Sequence, residues 1–403
     1  MATSNAIPRR TLLSGAAAAA FGAPLVVGAK AFGANDQIQA GIIGLGGPAG
    51  GGGGGAHTVA VCDVRGDKLA RYRDNKNVTI YGDFRELLTR DDVDVVFVGT
   101  PDHWHCLPSI AAAKAGKDIY CEKPMSLTIR EARAMVDAVR RYDRVFQTGS
   151  QQRSEYGGKF RFACEMVRSG RIGEVKFIHV NVGGPSRDCY EPAQPEPPDV
   201  DWDMWLGPAP WRPYNERILK GWRAYKDYSG GGMTDWGHHH FDIVQWALDM
   251  DTSGPREIIP PDGKEVRYLT YIYPGGVEVY HGGAEGAQIA FHGTKGKVMV
   301  DRGTLKTDPP AIMEKPTGPG EVHLYDTSGQ GHKGNFIDCV RTRKRPICDV
   351  EIGCRSVTVC HLGNLAYWLR RPLKWDPVEE QFIGDAEANR WLDRPKREPW
   401  TLS

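Results

Sequence analysis

Gly44, Gly46 and Ala49 stand in the spacing G-x-G-x-x-A directly after an apolar run, Gln37 to Ile43. That spacing suits a pyrophosphate. The first glycine makes a tight turn, the second lets phosphate approach the backbone, and the small third residue lets the next element pack closely. The phosphate would lie on a helix amino terminus, where free N–H groups point at it. Asp63 closes the second apolar run and offers a carboxylate to the adenosine ribose hydroxyls, which favours NAD. Arg65, two residues on, leaves NADP open. Gly50 to Gly55, however, are consecutive glycines where a first helix should run. Each costs a helix interior roughly 1 kcal/mol relative to alanine. A flexible loop without a dinucleotide site is therefore the competing reading.

Two further groups carry chemistry. In Asp235-Trp236-Gly237-His238-His239-His240, Asp235 and His239 are four residues apart and share a face if the segment is one helix. An aspartate near a histidine orients it and favours its charged form. A neutral imidazole is the natural base near neutral pH. The histidine run also raises a metal, but adjacent ligands on one helix diverge and no nearby Glu, Asp or Cys spacing completes a site. No metal is expected. Glu122-Lys123-Pro124 sets an ammonium beside a carboxylate; alone, it reads as a surface ion pair.

The elements that must position these residues can be read from periodicity. From Gln37 to Ser150 apolar strands alternate with amphipathic helices, with strands at Gln37–Gly44, Thr58–Cys62, Val78–Tyr81, Asp94–Gly99, Asp118–Cys121 and Val145–Thr148. Such alternation builds a doubly wound parallel sheet, a Rossmann domain over residues 35–150. Its strands are continuous apolar runs because they are buried on both faces. From 151 to 345 a helix, a strand and a Pro-rich stretch from Pro185 to Pro213 are followed by a helix around Asp235–Leu248. Glycine-separated strands come next, which predicts an α+β domain with an open, mostly antiparallel sheet. Residues 346–403 read as a helix, Ser356–Leu369, and an irregular tail.

Gly99-Thr100-Pro101-Asp102-His103-Trp104-His105 follows the fourth strand and Glu122-Lys123-Pro124 the fifth, both at the carboxyl edge where open α/β sheets bind ligands. With the G-x-G start, the Asp235–His239 segment, and Trp375-Asp376-Pro377, Phe382, Asp385 and Ala386 in the tail, the chain from Gln37 onward resembles the Gfo/Idh/MocA family of oxidoreductases. The resemblance implies an NAD(P)-dependent dehydrogenase acting on a sugar or polyol. It implies Lys123 as the active-site lysine and Asp235 with His239 as the acid–base pair. Thr100, Pro101, Asp102, His105 and Glu122 would line the cofactor. Gln151, Arg153, Tyr190, Trp205, Lys226 and His238 are candidate sugar contacts. A dimer or tetramer is implied as well. Two alternatives stand beside it: an NAD-dependent glycoside hydrolase of the same fold, and a sugar-binding protein without cofactor.

Arg9-Arg10 precedes Thr11-Leu12-Leu13 and an alanine-rich apolar run to Val27, with Ala29-Lys30-Ala31 as a small-x-small cleavage site. This reads as a twin-arginine export signal over residues 1–34, ahead of a Sec signal or an uncleaved anchor. The expected location is periplasmic or secreted, by way of the Tat machinery. No stretch is long and apolar enough for a stable membrane span. The formal net charge of +1 over 403 residues gives no reason to expect nucleic acid. Nine scattered cysteines form no C-x-x-C pair.

Overall fold

The computed structural model describes residues 36–402, apart from 285, 315, 316 and 328 and the side chains of 48 and 49. The export segment and the side chain of Ala49 lie outside the described residues. Six strands, β1 (Gln39–Ile43), β2 (His57–Cys62), β3 (Thr79–Tyr81), β4 (Val95–Val98), β5 (Asp118–Cys121) and β6 (Phe146–Thr148), form one parallel sheet in the order β3-β2-β1-β4-β5-β6. Every residue of β4 is wholly buried, as a central strand covered on both faces requires. The order reverses between β1 and β4, and the crevice at that switch point opens at the strands' carboxyl ends.

The first crossover is not the expected helix. After β1 the chain makes one 3-10 turn, Pro48–Gly51, and enters β2. A helix from far along the chain, Gly331–Thr342, covers the exposed sheet face instead. Its Phe336, Ile337, Cys339 and Val340 pack with Ile38, Ala40, Ile42, Val61 and Phe97. The glycine run fits beneath it: a Cβ on Gly54 would collide with the Lys333 carbonyl and lie 2.8 Å from Ile337 Cγ1. The Lys333 ammonium donates to the Gly52 carbonyl. Glycine thus serves close approach here, not helix formation.

The second sheet has nine strands: β7 (Val175–Val180), β8 (Glu257–Ile259), β9 (Leu269–Ile272), β10 (Glu278–His281), β11 (Ile289–Gly293), β12 (Gly296–Val300), β13 (Leu305–Asp308), β14 (Leu373–Asp376) and β15 (Gln381–Phe382). Their order is β13-β12-β11-β7-β10-β9-β8-β14-β15. Only β7 and β10 pair in parallel. Helices Lys159–Arg168, Gly237–Ala247 and Val350–Leu369 pack on one face and build the largest apolar core.

Two segments read as irregular are ordered by aromatics. The Pro-rich stretch holds a short helix, Trp202–Leu206, capped by Asp201, and Trp202 stacks on Trp205 with ring centroids 4.7 Å apart. Tyr214, Tyr225 and Tyr228 complete that cluster. It docks on the first domain through Gly66 N–H to the Asp199 carbonyl and Asp201 N–H to the Val64 carbonyl. The tail, beyond β14 and β15, forms the helix Ala386–Arg390 and ends with Trp400 edge-on to Trp104 at 4.8 Å. Both strands of this tail extend the second sheet, so it is not a loose appendage.

Candidate active site

A cleft of about 530 Å3 runs along the carboxyl ends of β1, β2, β4 and β5. One wall carries Gly44, Gly46, Asp63, Thr100, Pro101, Asp102, His105, Glu122 and Lys123. The opposite wall carries Met204, Trp205, Leu219, Lys220, Trp222 and Arg223 from the aromatic segment. The expected cofactor positions with described side chains therefore converge, although they come from four separate strand ends. Gly44 needs its left-handed φ of 86°, and a Cβ there would strike Thr100 N at 2.6 Å. A Cβ on Gly46 would meet nothing within 4 Å, so this glycine faces open cleft. Asp63 accepts from Leu45 N–H at 2.7 Å and Arg65 N–H at 3.0 Å, which pins the glycine turn to the end of β2. The Arg65 guanidinium is held by Asp67. Thr100 Oγ1 is buried with no hydrogen-bond partner among the described residues. These features fit a dinucleotide lying across the switch point. The expected helix amino terminus under the phosphate is absent, however, because Pro48–Gly51 is a single turn.

His105 braces the floor, with Nδ1 2.6 Å from the Pro124 carbonyl and Nε2 2.8 Å from the Thr100 carbonyl. Burial pushes its pKa down to about 4. Asp102 is buried, accepts from Ser229 Oγ at 2.7 Å, and is pushed up to about 7 by burial.

Lys123 reaches across to the second domain. Its ammonium donates to Asp235 Oδ1 at 2.7 Å and to the Asp235 carbonyl at 2.8 Å. This corrects the expected pairing. The hydrogen bonding slackens at Trp236, between Gly232–Asp235 and Gly237–Ala247, but Trp236 keeps helical backbone angles. The Asp235 carboxylate turns to Lys123 and not to His239. Burial alone would raise the Asp235 pKa, but the Lys123 and Arg223 charges outweigh it and hold the carboxyl below its ordinary range. His239 is buried, and its Nδ1 has no partner among the described residues. Burial, then the charges of Lys123 and Arg302, hold it well below its ordinary 6.5. His239 is thus a neutral imidazole near an ammonium. His238 is fully buried, and neither ring nitrogen is bonded among the described residues.

The chain carries both domains of a known architecture: a family model described as the NAD-binding Rossmann fold of an oxidoreductase family matches residues 25–150, and one for its C-terminal alpha/beta domain matches 186–402. It belongs to the Gfo/Idh/MocA oxidoreductase family. Its first domain is accordingly an NAD-binding Rossmann domain. Myo-inositol 2-dehydrogenase of Thermotoga maritima is 32% identical over 190 residues, 47% of this chain and 46% of that one. D-xylose 1-dehydrogenase [NADP(+)] of Haloarcula marismortui is 26% identical over 290 residues, 68% of this chain and 72% of that one. Several curated relatives are matched over only about half their length, at 57%, 47% and 46%. In fold, the WlbA dehydrogenase from Bordetella pertussis, solved with NADH and UDP-GlcNAcA, superposes with a TM-score of 0.60 at 16% identity, covering 85% of this chain and 99% of that one.

In this Gfo/Idh/MocA protein the expected sugar contacts scatter. Trp205 lines the cleft and Gln151 donates to Tyr120 Oη at 3.1 Å. Arg153 is not among the residues that line the cleft. It is 2% exposed, bonded at Nε and Nη2 to Asp242 and through Nη1 and Nη2 to Asp251, and holds the second domain together. Tyr190 is 87% exposed and stands outside the cleft lining. Lys226 pairs with Asp188 and lies over the Trp368 ring. Sequence reasoning missed Trp222, Arg223 and Ser229. No spacing rule marks them, because an aromatic–basic pair in a loop has no periodic signature. Among the described residues no group of three His, Cys, Asp or Glu side chains is placed to hold a metal ion, and no helix is long and apolar enough to cross a membrane.

Proposed function

We propose that this oxidoreductase transfers hydride between a C–OH of a sugar or polyol and NAD, with NADP as a second possible cofactor. The carrying observation is the Lys123 ammonium, anchored by Asp235 at the cleft, with a neutral His239 nearby. The nicotinamide, when bound, supplies the hydride acceptor. Lys123 Nζ holds the hydroxyl oxygen of the reacting carbon and stabilises its alkoxide character. His239 takes the hydroxyl proton, and its depressed basicity keeps it free to do so near neutral pH. Asp235 fixes the lysine rather than the histidine. Trp205 and Trp222 line the wall opposite Lys123. The names of the inositol and xylose dehydrogenase relatives support the substrate class. The test is reduced nicotinamide formation by the purified mature chain over a panel of sugars, polyols and glycosides. Aglycone release without net reduction would favour the hydrolase alternative. A chain that neither carries nor takes up dinucleotide would end the redox reading.

The same proposal places the enzyme in the periplasm or outside the cell by the twin-arginine route. Arg9→Lys with Arg10→Lys should hold it inside the cell; continued export would exclude that route. Assembly as a dimer or tetramer is supported by the partly exposed aromatic side of the nine-stranded sheet, where Phe177 stacks on His292 at 4.4 Å. Light scattering on the purified protein decides it.

A further inference from the structure

At the proposed reaction centre one carboxylate is shared between two cations. Asp235 Oδ1 serves two cations at once, Lys123 Nζ at 2.7 Å and Arg223 Nε at 3.4 Å. Among the described residues Asp235 is the only acid in an ion pair with Arg223, whose side chain stays 53% exposed on the cleft wall. A third cation, Arg302, lies over the Trp236 ring and adds to the charge that acts on His239. Two further acids stand in this neighbourhood: Asp102 is buried and bonded by Ser229, and Glu122 is buried within range of the Lys123 and Lys333 charges. Among the described residues Asp235 alone is shared by ion-pair geometry between Lys123 and Arg223.

Both guanidiniums are also oriented. Arg223 lies over the Trp222 ring at 4.2 Å. Arg302 lies over both Tyr156, at 4.7 Å, and Trp236, at 4.6 Å. A ring under a guanidinium face leaves the edge N–H groups as its donors. Arg223 Nε serves Asp235 and Arg302 Nε donates to Gln152 at 3.5 Å, so the Nη groups remain for a ligand. That edge is a planar fork, which matches a carboxylate in two parallel hydrogen bonds. A neutral hydroxyl can accept from these N–H groups but leaves the positive charge uncompensated.

We infer that the substrate is a sugar acid, with its carboxylate held by Arg223 and favoured by the charge of Arg302. This rests on the reading above for the position of the sugar, and it adds the chemical class. It also assigns a role to two arginines that the sequence did not single out.

The test is tryptophan fluorescence, since Trp222 and Trp236 lie directly under the two arginines. Protein saturated with NAD is titrated with a panel of hexuronates and aldonates, their neutral parent sugars and polyols, and the matching sugar phosphates. At least one acid should bind about tenfold tighter than its neutral parent, the size of a charge-assisted hydrogen bond. Arg223→Met should collapse that ratio toward one, Arg223→Lys should restore part of it, and Arg302→Met should lower it less. No acid outperforming its parent, a preference for the phosphates, or a preference that survives Arg223→Met would each overturn the inference. Dinucleotide uptake is measured on the same samples. Failure to take it up, with the acid preference intact, counts against the redox reading alone.

Discussion

The Lys123 ammonium is bonded twice by one residue, Asp235, through Oδ1 at 2.7 Å and the main-chain carbonyl at 2.8 Å. Lys123 follows a strand of the first domain and Asp235 ends a short helix of the second, so the two domains meet at the charge proposed to hold the reacting oxygen. Removing that charge should be costly. Lys123→Ala is expected to lower kcat by about 10²–10³, the loss typical when one oxyanion donor is deleted. Dinucleotide uptake should remain. Asp235→Asn should cost less, since the carbonyl still holds the lysine. Steady-state kinetics with a dinucleotide-binding assay checks both; full activity in Lys123→Ala would remove it from the mechanism.

His239 sets the pH dependence. As the base it must be neutral, and its pKa lies well below 6.5 because of burial and then the nearby cations. Activity is therefore kept below pH 6.5 and lost only as pH falls through the depressed value. The acid limb of kcat/KM should appear well under 6.5. Arg302→Met removes one of the charges that disfavour protonation, so it should move the limb upward. A limb at or above 6.5 in the wild type would mean that another group accepts the proton.

The glycine run offers a stability contrast. Gly54 has φ +67° and touches the Lys333 carbonyl and Ile337, so Gly54→Ala meets both backbone strain and collision. A loss of about 3 kcal/mol is expected. Gly51 has no positive φ and open space around its Cβ, so Gly51→Ala should be near neutral. Urea unfolding of the two variants separates them; equal midpoints would show that the helix Gly331–Thr342 does not press on this loop.

Arg153 is the charge centre of a buried cluster with Asp242, which is fully buried, and Asp251. Arg153→Met leaves a carboxylate in the core without its counter-ion, and about 3–5 kcal/mol should be lost. Substrate KM should not change in the molecules that remain folded. A raised KM with wild-type unfolding behaviour would return Arg153 to the substrate site.

Much of the first domain was legible because its signals are local. Helix and strand periods, the G-x-G turn, and the Glu122-Lys123-Pro124 segment need only neighbouring residues to be read. The same reading failed where a local rule was overruled at a distance. Asp235 and His239 have helical spacing, but a lysine 112 residues away in sequence takes the carboxylate. Arg153 looked like a ligand contact because its acids, Asp242 and Asp251, lie 89 and 98 residues further on.

The sequence by itself determined the alternating parallel sheet, the positions of its ligand-binding strand ends and the residue types able to carry hydride chemistry. Apolar runs and tight turns are properties of short stretches. Tertiary structure alone decided that a helix from residues 331–342 replaces the first crossover, that Trp222 and Arg223 wall the cleft, and which acid holds Lys123. Those outcomes depend on which distant surfaces bury each other, and pairing energies between remote side chains leave no periodic trace along the chain.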